Sequence, residues 1–245
     1  FGQPALGDID QDGVTDVIAS GSSLNLAINL QKGAGKLPGE HLISVWSGKT
    51  GKMLPGAPFV IEDYSFFNSQ SVADLNGDDY PEVIAGSGGY FIHAFDGCGR
   101  EPEGWPKFTG QWIISTPAVG DVDGDGKLEV VAATRSGWLY AWHTEGKSDG
   151  IIQWESYHHD NQNTGNISVK LNQGDATRRA EKPLDLAMCK ALIDMDNGGA
   201  VTLEPRGGCS ACSLGRQRDS SDERLAWFAA LAALGLVSSR RRARG

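Results

Sequence analysis

The sequence predicts an all-β fold in which about three four-stranded sheets form part of a β-propeller. Short β-branched and aromatic runs alternate with turn residues through residues 1–160, which is typical of many short strands. An acidic nine-residue stretch also recurs three times, each time between a short apolar segment and a β-branched segment. Such a repeat indicates similar supersecondary units that cover one another's faces.

The clearest acidic stretch is Asp121–Glu129, with carboxylates at its first, third, fifth and ninth positions and glycine at the sixth. The other copies are Asp8–Asp16 and Asp74–Glu82, and the latter has Asn76 at its third position and Asp79 at its sixth. Alternate carboxylates on a tight turn can direct their oxygens at one point, as Ca²⁺ requires. Without a cation, two carboxylates ~4 Å apart repel by ~1 kcal/mol in water and ~4 kcal/mol near a protein surface. The pattern therefore predicts three calcium loops.

Other acidic loops fit less well. An EF-hand needs a bidentate Glu at position twelve, but the three loops have Ala19, Ala85 and Ala132 there. An EF-hand also needs a helix on each side of the loop, whereas the segments on each side of these loops are predicted to be strands. Mg²⁺ prefers fewer protein ligands and strict octahedral geometry. A solvated turn of the Asp-Gly type remains an alternative for a single copy. Three copies in one strand context favour the metal loop.

Three units surround the loops, at residues 1–58, 71–108 and 116–154. Each offers about four short strands, which is the content of one propeller blade. In the third unit we expect a strand at Trp138–Trp142 and a turn at His143–Gly146. Propellers have about four to eight blades. Because the chain begins at Phe1 without Met, we expect it to be the C-terminal part of a longer protein with further blades.

These residues resemble the FG-GAP/VCBS family of calcium-binding β-propellers, which includes the integrin α-subunit head. Phe1-Gly2 ahead of Pro4–Asp10 matches the first half of that name, whereas Ser20-Gly21 and Gly86-Ser87 replace the second half, which favours the bacterial branch. The resemblance covers residues 1–166 and implies that each acidic loop joins the first two strands of a blade and binds Ca²⁺. The implied side-chain ligands are Asp8, Asp10, Asp12, Asp16, Asp74, Asn76, Asp78, Glu82, Asp121, Asp123, Asp125 and Glu129. The implied backbone-carbonyl ligands are Val14, Tyr80 and Lys127.

Residues 154–166 resemble the segment that often ends such bacterial propellers. His158, His159 and Asp160 suggest a zinc or catalytic site there, but no further ligand or nucleophile is identifiable, so a structural closing segment is favoured. The repeat does not continue in residues 167–208, where we expect a spacer with a short amphipathic helix at Leu184–Ile193. The four cysteines do not form the pattern of a disulfide scaffold and do not reveal the compartment.

Residues 209–245 combine a Cys209-Ser-Ala-Cys212 motif, an uncharged run at Leu225–Ser239 and an arginine cluster at Arg240–Arg244. As a helix, the 15-residue run spans about 22 Å, against a hydrocarbon core of ~30 Å. This order resembles the MYXO-CTERM sorting signal of myxobacteria. The resemblance implies a short transmembrane helix, processing by a sorting protease at Cys209 or Cys212, and delivery to the cell surface or outer membrane of a Gram-negative, myxobacterial-type cell. A zinc half-site, a redox motif and a buried core helix remain alternatives.

The charge distribution limits the classes of partner. The chain has a net charge of −9, and residues 206–245 are basic, so the remainder is more acidic still. Such a surface argues against nucleic acid. We expect a non-enzymatic, exported calcium-binding module that presents a surface to a protein or glycan. The alternative is the accessory propeller of a secreted hydrolase or polysaccharide lyase with its catalytic part upstream, since these residues contain no Gly-x-Ser-x-Gly or His-Glu-x-x-His motif.

Overall fold

The computed structural model describes residues 2–22, 41–65 and 68–196, and these are mostly β-strand, with three sheets and one short helix. The sequence also predicts a strand at Leu24–Ile28, and both this segment and the predicted sorting tail at residues 209–245 lie outside the described residues. The strands are β1 (Ala5–Gly7), β2 (Asp16–Ser22), β3 (His41–Trp46), β4 (Phe59–Ile61), β5 (Ser71–Ala73), β6 (Glu82–Gly86), β7 (Phe91–Phe95), β8 (Lys107–Phe108), β9 (Ala118–Gly120), β10 (Lys127–Ala133), β11 (Leu139–Lys147) and β12 (Ile152–Trp154). The helix, α1, is Leu186–Asp196.

Within each sheet, strands that follow one another in sequence pair antiparallel. The first sheet has the order β1-β2-β3-β4, as expected for a four-stranded unit. The second has the order β12-β5-β6-β7-β8, because the buried strand β12 pairs with the otherwise free edge of β5. The third has the order β11-β10-β9. The described residues do not form a closed ring of sheets.

The second sheet is buried on both faces. Along β6, Val83 and Ala85 belong to a core cluster shared with the first sheet, whereas Ile84 belongs to a cluster with Leu128 and Val130 of the third sheet. Successive side chains of a strand point to opposite faces, so a continuous apolar run is what a strand between two layers requires. The two faces of the second sheet therefore pack against the first and the third sheet, as neighbouring units of a repeat must.

The end of the third unit differs from the prediction. β11 runs through His143–Gly146, so the predicted turn at those residues was wrong. Glu129 pairs with His143 and Lys127 pairs with Lys147, with a register shift between the two pairs. The composition of this segment suggests a turn, but Thr144 and Gly146 are buried between exposed neighbours. Pairing with β10 thus outweighs the local preference.

The segment after the third unit packs against the sheets. Leu171 is buried in the core cluster of the second and third sheets, and the N–H of Leu184 donates to the carbonyl of Asp10 (2.8 Å). Asp185 caps helix α1 by accepting the N–H groups of Ala187 and Met188, which confirms a short helix here. The described residues include no helix with the length and apolar composition needed to span a membrane.

Candidate metal centres

The three acidic loops occupy the same place in their sheets. Each joins the first strand of a unit, which is β1, β5 or β9, to the second, which is β2, β6 or β10. The first position directly follows the first strand, and the ninth lies in the second strand. These first and ninth residues are Asp8 and Asp16, Asp74 and Glu82, and Asp121 and Glu129. The placement implied by the FG-GAP resemblance is therefore present in all three units.

Side chains at the third and fifth positions fold each loop back on itself. In the third loop, the N–H of Asp125 donates to Asp123 Oδ1 (3.1 Å), and the N–H of Lys127 donates to Asp125 Oδ1 (2.8 Å). The corresponding bonds occur in the first and second loops. They are Asx-type turns, in which a short polar side chain binds the backbone two residues on. Each turn uses one side-chain oxygen.

The first and ninth positions close the loop from both ends. In the first loop, the N–H of Gly13 donates to Asp8 Oδ2 (3.0 Å), and the N–H of Ile9 donates to Asp16 Oδ2 (2.9 Å). The other loops repeat both bonds, from the sixth residue to the first and from the second to the ninth. The same nine-residue cradle is thus built three times from different residues.

The backbone turns sharply at the fourth and sixth positions of each loop. The sixth-position φ values are 90° at Gly13, 67° at Asp79 and 89° at Gly126. The fourth-position φ values are 56° at Gln11, 80° at Gly77 and 81° at Gly124. Aspartate enters this left-handed region more readily than most residues, which explains how Asp79 replaces glycine. The sharp turn at the fourth position was not predicted, although two of its three residues are glycine.

The first loop has the most buried carboxylates. Oxygens of Asp8, Asp10 and Asp16 lie within 4.8 Å of one another, and all three residues are buried. Asp8 is 3% exposed, and its Oδ1 has no hydrogen-bond partner. Burial raises the pKa values of Asp8 and Asp10, and it raises the pKa of Asp16 to about 6. An oxygen-seeking cation would satisfy the unpaired oxygen and offset the buried charge, so this donor set fits Ca²⁺.

Asp12 stands apart from that group. Its Oδ2 lies 3.5 Å from the Nζ of Lys49, so a lysine partly neutralises the fifth position of the first loop. The Lys49 side chain is 60% exposed and that of Asp12 is 13% exposed, so solvent screens part of this attraction. The predicted fifth-position ligand of this loop therefore has an alternative partner nearby.

In the second loop an amide replaces the third-position carboxylate. Asn76 Nδ2 donates to Asp78 Oδ2 (3.1 Å) and to Glu82 Oε1 (3.1 Å), and so bridges two of the predicted ligands. Burial raises the pKa of Asp74 and raises that of the fully buried Glu82 well above its usual value. The loop thus lowers its own charge by one and joins its carboxylates through the amide.

The third loop is more exposed and contains a histidine. Oxygens of Asp121, Asp123 and Asp125 lie within 4.8 Å of one another. A second group of the same compactness contains Asp123, Glu129 and His143. The ring of His143 was not predicted to lie at the loop, because the residues around it predicted a turn.

Two glutamines support loops from a distance in sequence. Gln153 Oε1 accepts the N–H of Asp8 (2.7 Å). Gln173 Oε1 accepts the N–H of Asp121 (2.6 Å), while its Nε2 donates to the carbonyl of the same residue (3.1 Å). These contacts hold the first residue of two loops in place. They join residues 145 and 52 positions apart, which no local pattern reveals.

A crossing segment, residues 178–184, contacts the first and second loops. Arg179 Nε lies 3.1 Å from Asp8 Oδ2, and Arg178 Nε lies 2.8 Å from Asp79 Oδ1. The hydroxyl of Tyr80 also donates to the carbonyl of Lys182 (2.8 Å). Two arginines therefore bring positive charge to the acidic loops from the region predicted to be a spacer.

The two histidines after β12 pack against neighbouring side chains. His159 is fully buried, its Nδ1 lies 3.1 Å from Asp160 Oδ2, and its ring packs edge-on against Trp154. His158 stacks on Tyr157 instead. The two rings thus contact different neighbours, and the closing segment itself stays a prediction.

The comparison with family models identifies one repeat. Residues 74–132 match the FG-GAP-like repeat. The match begins at the first residue of the second acidic loop and ends within β10, so the FG-GAP-like repeat includes the second and third loops. A search of curated proteins found no match to the chain.

Other predicted site residues keep the status of predictions. The carbonyls of Val14, Tyr80 and Lys127 follow the fifth-position turns in the chain, and their role as ligands rests on the FG-GAP resemblance. Cys209 and Cys212 lie outside the described residues.

Proposed function

We propose that this chain is an exported, calcium-binding β-propeller module that acts by binding rather than by catalysis. The observation that carries the proposal is the buried, unpartnered Oδ1 of Asp8 within a cradle that recurs three times. Chance acidic turns do not account for the same four side-chain–backbone bonds in three loops. An all-oxygen donor set is what Ca²⁺ prefers.

The cation would act on the fold. In each unit it would join the end of the first strand to the second strand through the loop carboxylates, and so offset their repulsion. Asp8, Asp10 and Asp16 would hold it in the first loop, and Asp121, Asp123 and Asp125 in the third. The protein's own residues position these oxygens through the turns described above. Calcium would thereby make the stacked sheets rigid.

Export is supported by two features. FG-GAP repeats usually occur in extracellular or surface proteins. The chain also carries a disulfide between Cys98 and Cys189, and such bonds persist in oxidising compartments. The proposal extends to the tail at residues 209–245, which would be processed at Cys209 or Cys212 and would hold the protein at the cell surface. Truncation before Cys209 should then release the protein into the medium, and retention on cells would contradict anchoring.

A partner surface is supported by exposed aromatic side chains at the end of the third sheet opposite its acidic loop. Trp138 is 66% exposed in the turn between β10 and β11, and Trp112 is 44% exposed beside Arg135, which stacks on its ring. Exposed aromatic rings with a polar neighbour suit a protein or glycan ligand. Because the third acidic loop is at the other end of this sheet, cation binding at that loop and ligand binding would use different surfaces.

Calorimetry tests the calcium claim. Ca²⁺ should bind to the chelator-treated protein, and Asp8→Asn, Asp74→Asn and Asp121→Asn should each remove or weaken one site. Asp149→Asn is the matched control, because this aspartate is exposed in a turn outside the loops. Circular dichroism confirms that each variant is folded. Equal binding by all four variants and the unmodified protein would overturn the proposal.

A further inference from the structure

The three loops differ in the residue that faces the ninth position across the sheet. In the third loop, Glu129 pairs directly with His143. In the first and second sheets the ladders end one pair earlier, at Val17–Trp46 and Val83–Phe95, and the same register would place Ser47 opposite Asp16 and Asp96 opposite Glu82. One loop therefore has an imidazole where the others have a hydroxyl or a carboxylate.

The ring of His143 faces two predicted ligands. Its Nδ1 lies 2.9 Å from Glu129 Oε1, and its Nε2 lies 3.9 Å from Asp123 Oδ2. One ligand atom from each of the three residues lies within 4.8 Å of the other two. A tetrahedral zinc site with bonds of ~2.0 Å places its ligand atoms a little over ~3 Å apart, so small side-chain movements would suffice.

The local surroundings make this group rigid on one side and accessible on the other. The Glu129 side chain is 4% exposed, and its second oxygen accepts the N–H of Val122 (2.8 Å). The side chains of His143 and Asp123 are 65% and 52% exposed, so a cation can reach them from solvent. A buried, hydrogen-bonded carboxylate thus fixes one ligand, and two accessible side chains complete the group.

The donor set also changes the preferred cation. Ca²⁺ takes oxygen ligands, whereas a neutral imidazole nitrogen suits Zn²⁺ and neighbouring transition metals. Two carboxylates and one histidine are a ligand set that zinc accepts, with the fourth position left to water. The first and second loops have no histidine at this place.

We propose that the third loop, together with His143, is a binding site for a transition-metal dication such as Zn²⁺, formed by Asp123, Glu129 and His143. This inference deepens the proposed function. It rests on that proposal in one respect, which is that the carboxylates of the third loop point toward a bound cation. Zn²⁺ and Ca²⁺ would compete for Asp123 and Glu129. The third loop would then report the ratio of two cations rather than the level of one.

Zinc calorimetry on the chelator-treated, full-length chain tests the proposal. Zn²⁺ should bind at one site that His143→Ala and His143→Gln weaken by at least ~100-fold, because loss of a direct ligand exceeds the 10–100-fold effect of losing an outer partner. The control is His158→Asn, which removes a histidine that stacks on Tyr157 and keeps a residue type that tolerates its φ of 54°. Co²⁺ absorption provides a second signal for nitrogen ligation that does not depend on stability.

The outcomes separate this inference from the calcium proposal. Zinc affinity that is unchanged in both His143 variants would overturn it, and would reduce His143 to an ion-pair partner of Glu129. Loss of zinc binding in both variants with intact calcium binding would support it. A third result is that zinc binding depends on His143 while calcium binding is unchanged by Asp121→Asn. That result would support the zinc site and would reject calcium binding at this loop.

Discussion

The sulfur atoms of Cys98 and Cys189 form a disulfide that joins the turn after β7 to helix α1 across 91 residues of sequence. Both cysteines are buried, and Leu184 packs beside Gly97 next to the bond. The disulfide therefore fixes the end of the crossing segment to the second sheet.

Removal of this disulfide should destabilise the fold. A cross-link over a loop of this length contributes up to about 4–5 kcal/mol by restricting the unfolded chain. The double variant Cys98→Ser/Cys189→Ser should lose 2–5 kcal/mol in urea denaturation, about the usual range. The matched control is Cys209→Ser/Cys212→Ser, which leaves this bond intact. Equal denaturation midpoints for the two double variants would contradict the prediction.

The sixth loop position should disfavour alanine for backbone reasons. A Cβ added at Gly126 or at Gly21 would meet no atom within 4 Å, but Gly126 has a φ of 89° and Gly21 does not lie in the left-handed region. Gly126→Ala should therefore lower the free energy of unfolding by about 1–2 kcal/mol, whereas Gly21→Ala should change it by no more than about 0.5 kcal/mol. Thermal denaturation in chelator measures both. Similar losses for the two variants would show that φ is not the cause.

The buried ring of His93 should make stability depend on pH. Its Nε2 lies 2.7 Å from Glu62 Oε2, and its Nδ1 lies 3.0 Å from Glu101 Oε1. Burial opposes the charged ring, but these two hydrogen bonds raise the pKa of His93 to about 9. Because the folded pKa exceeds the unfolded value of ~6.5, this contribution is complete below pH ~6.5 and disappears as the pH rises through about 9.

Urea denaturation at pH 6 and at pH 9.5 measures the effect of that ring. The unmodified protein should lose about 1–3 kcal/mol between the two conditions, and His93→Gln should lose much less, because its side chain does not titrate. His158→Asn should retain the full pH dependence. A His93→Gln variant with the same slope as the unmodified protein would show that other groups cause it.

Gln173 should affect the third loop without being a ligand. It binds both the N–H and the carbonyl of Asp121, so it positions the loop's first residue. Gln173→Ala should weaken calcium binding at this loop by about 10-fold, as is usual for partners of ligands. Gln162→Ala, which changes an exposed glutamine, is the control. Unchanged calorimetry for Gln173→Ala would show that the loop holds its shape unaided.

Local features of the fold were predictable, and remote ones were not. The strand at His41–Trp46 and the three acidic loops follow from alternation and spacing within a few residues. The pairing of β12 with β5 and the contacts of Gln153 and Gln173 depend on residues that the fold brings together over long separations.

The histidine at the third loop shows the same limit. His143 lies in a segment whose composition suggests a turn, and its pairing with Glu129 becomes visible only when β10 and β11 are placed side by side. The fourth-position glycines, in contrast, were available as a signal. Gly77 and Gly124 share a place in the repeat, and their positive φ values explain why.

The four bonds that close an acidic loop all join atoms within the same nine residues. The stretch therefore forms most of the bonds that shape it between two adjacent antiparallel strands, although a glutamine outside the loop holds the first residue of the first and third loops. Grafted between such strands in an unrelated scaffold, it should keep its curvature, which makes it a transferable part for protein engineering.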